Sequence, residues 1–334
     1  MKTQMNVKMY PMFALLLTLI SFQATAQENK TPTITKTFDV NQPGKLNAKS
    51  SGGGIDVKVH DQKTVEVQAF VRKNNQVLAP NDPQVRTILE DFDLEIEKNG
   101  SVITANVERK SRFNFRNNNV GISLTIIVPR EMSCNVSSSG GGLRISGVSG
   151  THHFSSSGGG VHLENISGTT EAKSSGGGVK VINQNGDIQL SSSGGGVTLD
   201  DAHGKVSASS SGGGVDLTNV HGDVEASSSG GGVKVTGESG SVKAKSTGGS
   251  VRVDIVNLRK ELYLESTGGG IDAVIRNGDK LGLDLDLSSD RVNIELNHFS
   301  GKSEKNRVKG TMNNGGIPVH MRSSGGNVNV RFDN

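Results

Sequence analysis

The sequence has few of the residues that mark several common protein classes. Its 334 residues include one cysteine, Cys134, which excludes an intramolecular disulfide framework. Tryptophan is absent and aromatic residues make up 4% of the chain, so stacking platforms for sugars or single-stranded nucleic acid are not expected. Seven prolines and 21% charged residues of nearly balanced sign set the chain apart from disordered and collagen-like sequences.

Long hydrophobic runs are also scarce, and the one near the start predicts a signal peptide. Lys2 and Lys8 precede an apolar run over residues 13–20, and residues 24–26 supply a small-x-small cleavage site. The run is shorter than the ~20 residues that span a bilayer. We therefore predict a signal peptide over residues 1–26, followed by a mature chain without an integral membrane segment. The predicted location is the periplasm, the outer cell surface or the medium.

Removal of this signal would take both lysines and no acidic residue with it. The mature chain would carry 34 basic and 33 acidic residues, whereas the full chain has 36 and 33. Such a balance gives no electrostatic reason for a nucleic-acid partner.

Glycine, in contrast, is abundant, and it recurs at a strict interval. The 45 glycines are about twice the usual share. Triplets of glycine, with a Gly-Gly-Ser variant last, begin every 18 residues at Gly140, Gly158, Gly176, Gly194, Gly212, Gly230 and Gly248. A period of this kind is the sequence signature of a repeat architecture.

Each 18-residue unit predicts two short strands and two turns. Counted from the first glycine, the fourth and sixth positions are aliphatic and their neighbours mostly polar, which is the alternation of a half-buried strand. A turn follows, marked by Asn or Asp at the eighth position and Gly at the eleventh. The second strand places Val or Ile, then Ala or Leu, then Ser toward the interior, as in Ile188, Leu190 and Ser192.

These units predict an all-β, single-chain β-solenoid with 18-residue coils, right-handed and capped at both ends. Equivalent strands of successive coils would pair at ~4.7–4.9 Å. We expect the glycine triplets to permit a tight reversal, through positive φ or by keeping the turn free of side chains. Charged residues one period apart often alternate in sign, as Asp216 and Lys234 do, which indicates pairing between strands.

The rhythm lapses on both sides of the regular repeat. We predict an N-terminal β cap over residues 27–136, the regular solenoid over 137–267 and a C-terminal solenoid and cap over 268–334. The cap contains one early coil at 50–59, a helix opened by Asp82-Pro83 and a hairpin at Asn99-Gly100. In the last region, residues 281–287 and 292–296 are predicted strands, and the last coil covers 315–330.

Together these features resemble a bacterial family of exported repeat proteins of unassigned function that are grouped as candidate adhesins. This family is related to the autotransporter adhesin head domain. The match rests on the signal, the early coil at Ser51, the lead-in over residues 127–130, the Ser-Ser-Gly-Gly-Gly-Val repeats and the closing 315–330 pattern. The resemblance covers nearly all of the mature chain. It implies an adhesive or envelope role and supplies no catalytic motif.

Residues with reactive side chains fit structural roles better than catalytic ones. The serines recur at the structural period, and no Gly-x-Ser-x-Gly elbow leads into a helix, so we read them as structural hydroxyls. His203 and His221 share the tenth position of adjacent coils and could face each other, but a third ligand there would be Asn185 or Ser239. We therefore predict no catalytic residue, cofactor or metal.

One segment stands apart from the strand pattern. Residues 110–119 interleave basic and aromatic side chains, and a contact loop there would use Arg112, Phe113, Phe115 and Arg116. A surface loop with one Phe packed into the cap explains the same residues equally well. The basic segment from Lys302 to Lys309 has the same two interpretations.

The sequence favours an exported, non-enzymatic, monomeric β-solenoid that binds an unidentified envelope or extracellular protein or glycan. Two alternatives stay open. One is a carbohydrate-active lyase or hydrolase on a β-helix scaffold, which would need close carboxylates on one face. The other is a purely structural or stress-response protein of the envelope.

Overall fold

Every regular 18-residue unit contributes one strand to each of two faces of a stacked column. The computed structural model describes residues 31–40, 43–110 and 119–333. The central strands are β9 (Met132–Ser138), β10 (Leu143–Ser146), β11 (Ser149–Ser156), β12 (Val161–Ser174), β13 (Val179–Asn185), β14 (Ile188–Ser192), β15 (Val197–His203), β16 (Val206–Ser210), β17 (Val215–His221), β18 (Val224–Ser228), β19 (Val233–Glu238), β20 (Ser241–Ser246), β21 (Val251–Val256), β22 (Glu261–Ser266) and β23 (Ile271–Ile275). The predicted β-solenoid is therefore confirmed.

The strands of each face pair in parallel and in register. Face A contains β10, the first part of β12, and then β13, β15, β17, β19, β21 and β23; face B contains β9, β11, the second part of β12, and then β14, β16, β18, β20 and β22. Val179 pairs with Val197, and Val197 with Val215, each one period further along the chain. Because β12 runs through both faces, all strands belong to one hydrogen-bonded network.

The interior is thin and aliphatic, as the alternation predicts. The fourth and sixth positions of the coils, such as Val197 and Leu199, are buried on face A. On face B the buried positions are those of Val206, Ala208 and Ser210. Small residues on one face opposite larger ones on the other allow close packing of the two sheets.

The N-terminal region caps the column with an intercalated coil. Its elements are β1 (Ile34–Asp39), β2 (Gly44–Ser50), β3 (Ile55–His60), β4 (Thr64–Lys73), β5 (Gln76–Val77), α1 (Pro83–Glu90), β6 (Phe92–Asn99), β7 (Val102–Arg109) and β8 (Val120–Pro129). The early coil, β2 and β3, pairs in parallel with β9 and β10 on one side and with β7 and β8 on the other. Beyond it, β4 pairs antiparallel with both β1 and β8, and β6 pairs antiparallel with β7.

The predicted helix and hairpin of this cap are both present. Helix α1 begins after Asp82, whose Oδ1 accepts a hydrogen bond from the Gln84 N–H at 2.8 Å, and Pro83 occupies its first turn. Strands β6 and β7 pair from Asn99 and Val102 onward, and Gly100 in their turn has φ +59°. In the cap, where the 18-residue period is absent, the short-range signals for a helix N-terminus and a hairpin turn therefore still predict the local structure.

The C-terminal end is also closed out of sequence order. Its elements are a 3-10 turn (Gly278–Lys280), β24 (Leu283–Ser288), β25 (Val292–Asn293), β26 (Phe299–Ser303), β27 (Arg307–Met312), β28 (Ile317–Ser323) and β29 (Val328–Arg331). The last coil, β28 and β29, stacks on β22 and β23, and β24 and β25 lie outside it. The predicted strand over 292–296 was wrong in length, because only its first two residues pair with β29.

Close backbone approach, and not positive φ, explains the glycine triplets. No triplet glycine of the regular coils has positive φ, so that alternative was wrong. A Cβ on Gly195 would lie 2.5 Å from the backbone nitrogen of Gly178 in the preceding coil. Left-handed backbone occurs instead at the eighth position, for example φ +60° at Asn183. Asn tolerates this conformation better than most other residues.

Candidate functional site

The recurrent buried serines at the end of each face B strand are structural. Ser210 Oγ donates to the carbonyl oxygen of Gly195 at 2.9 Å and accepts from the N–H of Gly213 at 3.0 Å. One hydroxyl thus ties its own glycine turn to that of the preceding coil. The same donated bond is made by Ser138, Ser156, Ser174, Ser192, Ser228, Ser246, Ser266 and Ser323. Hydroxyls engaged in this way are not available as nucleophiles.

The two histidines of adjacent coils face each other, but their neighbour differs from the one expected. The rings of His203 and His221 stack with centroids 4.6 Å apart. The next residue in this row is Glu238, and not Ser239, because the register shifts between Leu217 and Val220. Glu238 Oε2 lies 3.8 Å from His221 Nδ1. Within the described ranges, no group of three or more His, Cys, Asp or Glu side chains is placed to hold a metal ion.

Of the adjacent histidines His152 and His153, the first lies in the core and the second on the surface. His152 is fully buried, stacks on Phe154 and has Nε2 3.2 Å from the carbonyl oxygen of Ser167, while its Nδ1 has no hydrogen-bond partner among the described residues. Burial lowers the pKa of His152 to about 4. His153 points outward, with Nδ1 3.0 Å from Glu171 Oε2. The sequence assigned neither histidine a partner.

The single cysteine lies in the same inward row as His152. Cys134 pairs in register with His152 and is buried. Burial raises the pKa of its thiol to about 12. A neutral, enclosed thiol of this kind is inert at neutral pH.

Most charged rows on the two faces pair from coil to coil. Lys234 Nζ lies 3.4 Å from Asp216 Oδ1, and Arg252 Nε lies 3.8 Å from Asp272 Oδ2. On face B, Lys243 contacts Glu261 of the following coil at 2.9 Å and is the register neighbour of Glu225. The predicted sign alternation is thus confirmed as pairing between strands for Asp216 and Lys234.

One row on face A departs from this pairing. Arg144, His162 and Lys180 are register neighbours on three successive coils with no acid between them, and the row meets an acid only at its end, where Asp56 is the register neighbour of Arg144. None of the three forms an ion pair or side-chain hydrogen bond with any residue of the described ranges. They border an open groove of about 710 Å³, whose floor includes Gly142, Gly160 and other triplet glycines. This cationic groove is the candidate functional site.

The surroundings of His162 disfavour its protonated form. Burial, followed by the charges of Arg144 and Lys180, lowers the pKa of His162, and Glu164 opposes this shift. Arg72 lines the groove from the cap, and Asp56 at its end forms an ion pair with Lys58 at 3.0 Å. The groove therefore has an excess of positive charge.

A larger groove at the C-terminal end has mixed charge. It measures about 980 Å³ and lies between residues 292–295 and 329–333. Arg252 and Arg331 share it with Asp272, Glu295 and Asp333. Because the signs are mixed, its charge selects no class of ligand.

Of the two segments that the sequence suggests as contact loops, the structure describes only the second. Arg112, Phe113, Phe115 and Arg116 lie outside the described residues, and their role stays a prediction. The Lys302–Lys309 segment forms the edge of the C-terminal cap, where Lys302 contacts Glu304 at 2.7 Å. A lysine on an exposed edge strand discourages pairing with another chain.

The fold and its rows of stacked side chains define the structural class of the protein. A column of parallel two-strand coils, closed at both ends by antiparallel strands, is a capped β-solenoid repeat protein. The chain belongs to the Toastrack DUF4097 family, whose model matches residues 20–331. Among curated protein sequences, none is similar enough to this chain to be a relative.

Several solved structures align with the chain at low identity. A candidate adhesin from Parabacteroides distasonis is 13% identical, with a TM-score of 0.44 and coverage of 89% of this chain and 96% of its own. A candidate adhesin from Bacteroides fragilis is 14% identical, with a TM-score of 0.30 and coverage of 89% and 96%. A candidate lipid-binding protein from Parabacteroides distasonis is 13% identical, with a TM-score of 0.31 and coverage of 91% and 98%.

No helix within residues 31–40, 43–110 or 119–333 is long and apolar enough to cross a bilayer.

Proposed function

We propose that this chain is an exported, non-enzymatic β-solenoid that binds a partner in the cell envelope or outside the cell. The observation that carries the proposal is the regularity of the stack. Equivalent positions lie over one another through coil after coil, so each face offers straight rows of side chains along the stack axis. Such a surface suits a long or repetitive partner better than a small substrate.

The use of the reactive side chains supports a binding role over catalysis. The buried serines bond to glycine turns, and many exposed acids contact a cation of the same strand or a neighbouring coil. A retaining or inverting glycosidase needs two carboxyl groups at set separations around a substrate. Turnover of any member of a polysaccharide panel by the purified protein would favour the enzymatic alternative.

Export is tested by the start of the mature protein. Protein purified from the native host envelope or medium should begin at Gln27, because cleavage is predicted after Ala26. N-terminal sequencing measures this directly. A cytoplasmic protein that begins at Met1 would contradict export.

Binding is tested with the folded mature chain, labelled at its N-terminus. We expect saturable binding to native envelope preparations or to a subset of a glycan array. Circular dichroism with a β spectrum and a cooperative melt verifies folding first. No binding to any envelope or glycan target would contradict the proposal and favour a purely structural role.

A further inference from the structure

The cationic groove on face A has a geometry that selects one class of ligand. Arg144 and Lys180 are exposed and His162 is half-buried, and the three stand on consecutive coils at ~4.7–4.9 Å intervals. The row therefore presents positive charge in a straight line parallel to the stack axis. Arg144 has Asp56 of the early coil as its register neighbour, and that acid forms an ion pair with Lys58. Further along the same row, Lys234 forms an ion pair with Asp216.

The glycine turns make room beside this row. The groove runs past Gly54, Gly142, Gly160, Gly178 and Gly196, which belong to five stacked coils. Four coil steps amount to about 19 Å. Since these positions have no side chains, an extended chain could lie along them within reach of the cations.

The spacing of the cations and the residues that line the groove distinguish between the polymers that could bind there. Side chains on one side of an extended peptide recur at about 6.6 Å, which does not match the coil spacing. Single-stranded nucleic acid binds through base stacking on aromatic side chains, and the lining residues within 31–40, 43–110 and 119–333 include no Phe, Tyr or Trp. A linear anionic glycan carries its charges along the chain and needs no aromatic platform, so it can lie along a straight row of cations.

We propose that the groove bordered by Arg144, His162 and Lys180 binds a linear anionic polysaccharide along the stack axis. This inference rests on the proposed binding function and names the ligand class of one site. The carboxylates or sulfates of the glycan would lie opposite the three cations. Arg72, which lines the groove from the cap, would add a fourth cation at the end of the groove where Asp56 follows Arg144 in the row.

The test compares defined polymers by isothermal titration calorimetry at low salt. The probes are polygalacturonate, dextran sulfate, neutral dextran, a single-stranded oligonucleotide and inorganic phosphate. We expect binding to at least one of the two anionic glycans, which also distinguishes carboxylate from sulfate. Equal binding of neutral dextran, stronger binding of the oligonucleotide, or binding of inorganic phosphate alone would overturn the proposal.

Two variants locate the site. Arg144→Thr and Lys180→Thr introduce the residue that the same row carries at Thr198, so the strands should tolerate them. The double variant should bind the glycan about tenfold more weakly, since each exposed charge contact is worth about threefold. Lys173→Ser on face B, where Ser191 occupies the same row, removes one charge as a control and should leave binding unchanged. Equal loss in the control would overturn the site.

The pKa of His162 reports directly on the bound ligand, because a purely structural role of the row would leave this pKa unchanged. A bound anion favours the protonated ring, so the glycan should raise the pKa of His162 in NMR titrations and bind more tightly at pH 5.5 than at pH 7.5. Arg144, Lys180 and Glu164 are the charged groups that act on this ring. An unchanged titration of His162 in the saturated complex would contradict its place in the site.

The outcomes also separate this inference from the general function. If the wild-type protein binds native envelopes but no anionic glycan, the groove proposal fails and the binding function stands. If the double variant loses the glycan and keeps full envelope binding, the groove proposal stands as a separate site. If the folded wild-type protein binds nothing, both proposals fail.

Discussion

The middle of the column and its two ends bury similar aliphatic rows but are built differently. In the middle, every coil follows its predecessor by 18 residues and pairs in parallel with it. At both ends, a coil out of sequence order is inserted, and antiparallel strands then cover both faces at the N-terminal end and face B at the C-terminal end. Repetition extends a stack but leaves the same open edge after each addition. Termination therefore needs a sequence that breaks the repeat.

Glycine shows the same contrast at the level of single residues. In the middle, a Cβ on Gly195 would collide with backbone of the preceding coil. In the N-terminal cap, a Cβ on Gly100 would meet nothing within 4 Å, and its φ of +59° is what favours glycine there. The glycine triplets of the regular coils serve close approach, whereas the hairpin uses glycine for backbone conformation; the glycines at the eleventh position, such as Gly186 with φ +117°, have positive φ as well.

The largest expected effect separates these two uses. Gly195→Ala should destabilise the protein by about 4 kcal/mol, because the clash is with backbone atoms of a paired coil that cannot move aside. Gly100→Ala should cost about 1–2 kcal/mol, the cost of left-handed backbone for an L residue. Chemical denaturation followed by circular dichroism measures both.

Gly240→Ala is the matched control for the substitution itself. Its nearest atom would be Asp223 Oδ1 at 3.5 Å, an ordinary contact, and its φ is not positive. Stability should change by less than about 1 kcal/mol. A Gly195→Ala variant as stable as Gly240→Ala would refute close coil contact as the reason for the triplets.

The next effect concerns pH and the buried His152. Its pKa is about 4 in the folded protein and 6.5 in an ordinary setting. Between these values the unfolded chain binds a proton that the folded chain does not, so stability falls as pH falls from 6.5 to 4. The loss amounts to about 3 kcal/mol at most. Unfolding curves at several pH values between 4 and 7 measure it.

A substitution tests whether the His152 ring causes this pH dependence of stability. His152→Leu places in the row the residue found at Leu46, in the same row of the cap, and should remove most of the pH dependence in this window. His153→Gln, on the exposed side of the strand, should retain it. An unchanged slope in His152→Leu would show that other groups control the acid sensitivity.

A smaller effect tests the serine row against its exposed neighbour. Ser210→Ala removes two hydrogen bonds, those to the half-buried carbonyl of Gly195 and N–H of Gly213, at a cost of about 1–3 kcal/mol. Ser209→Ala, one residue earlier and exposed, should change stability by less than about 0.5 kcal/mol. Equal effects would mean that the hydroxyls do not tie the turns together.

The smallest effect is expected from the surface ladders. Lys234→Thr removes the 3.4 Å contact with Asp216, and both side chains are about half exposed. Pairs of this kind contribute ~0–1 kcal/mol, so the midpoint of denaturation should hardly move. A loss as large as that of Ser210→Ala would require a stabilising role for the charged rows.

The regular coils could be predicted almost completely, because one period determines strand, turn and register at once. The rows of Val197 and Leu199 follow from alternation alone. The serine hydrogen bonds could not be predicted, since alternation says that Ser210 is buried but not which turn it contacts. The slip that brings Glu238 beside His221 depends on a local irregularity that counting positions does not detect.

The ends were predictable only in their local parts. Asp82-Pro83 and Asn99-Gly100 act within a few residues, and the structure has the expected helix and hairpin. The order in which coils stack at either end depends on pairing between segments far apart in sequence. The row of Arg144, His162 and Lys180 follows from the period, but its position beside an open groove depends on how the coils and the cap pack.

Removal of one whole coil tests the stacked column most directly. Deletion of residues 194–211 joins Ser193 to Gly212 in phase, and deletion of residues 194–202 removes half a coil out of phase. The full-coil deletion should melt cooperatively with a β spectrum, and X-ray scattering should show a maximum dimension shorter by about 5 Å. The half-coil deletion should be strongly destabilised. Equal disruption by both deletions would contradict a column of interchangeable 18-residue coils.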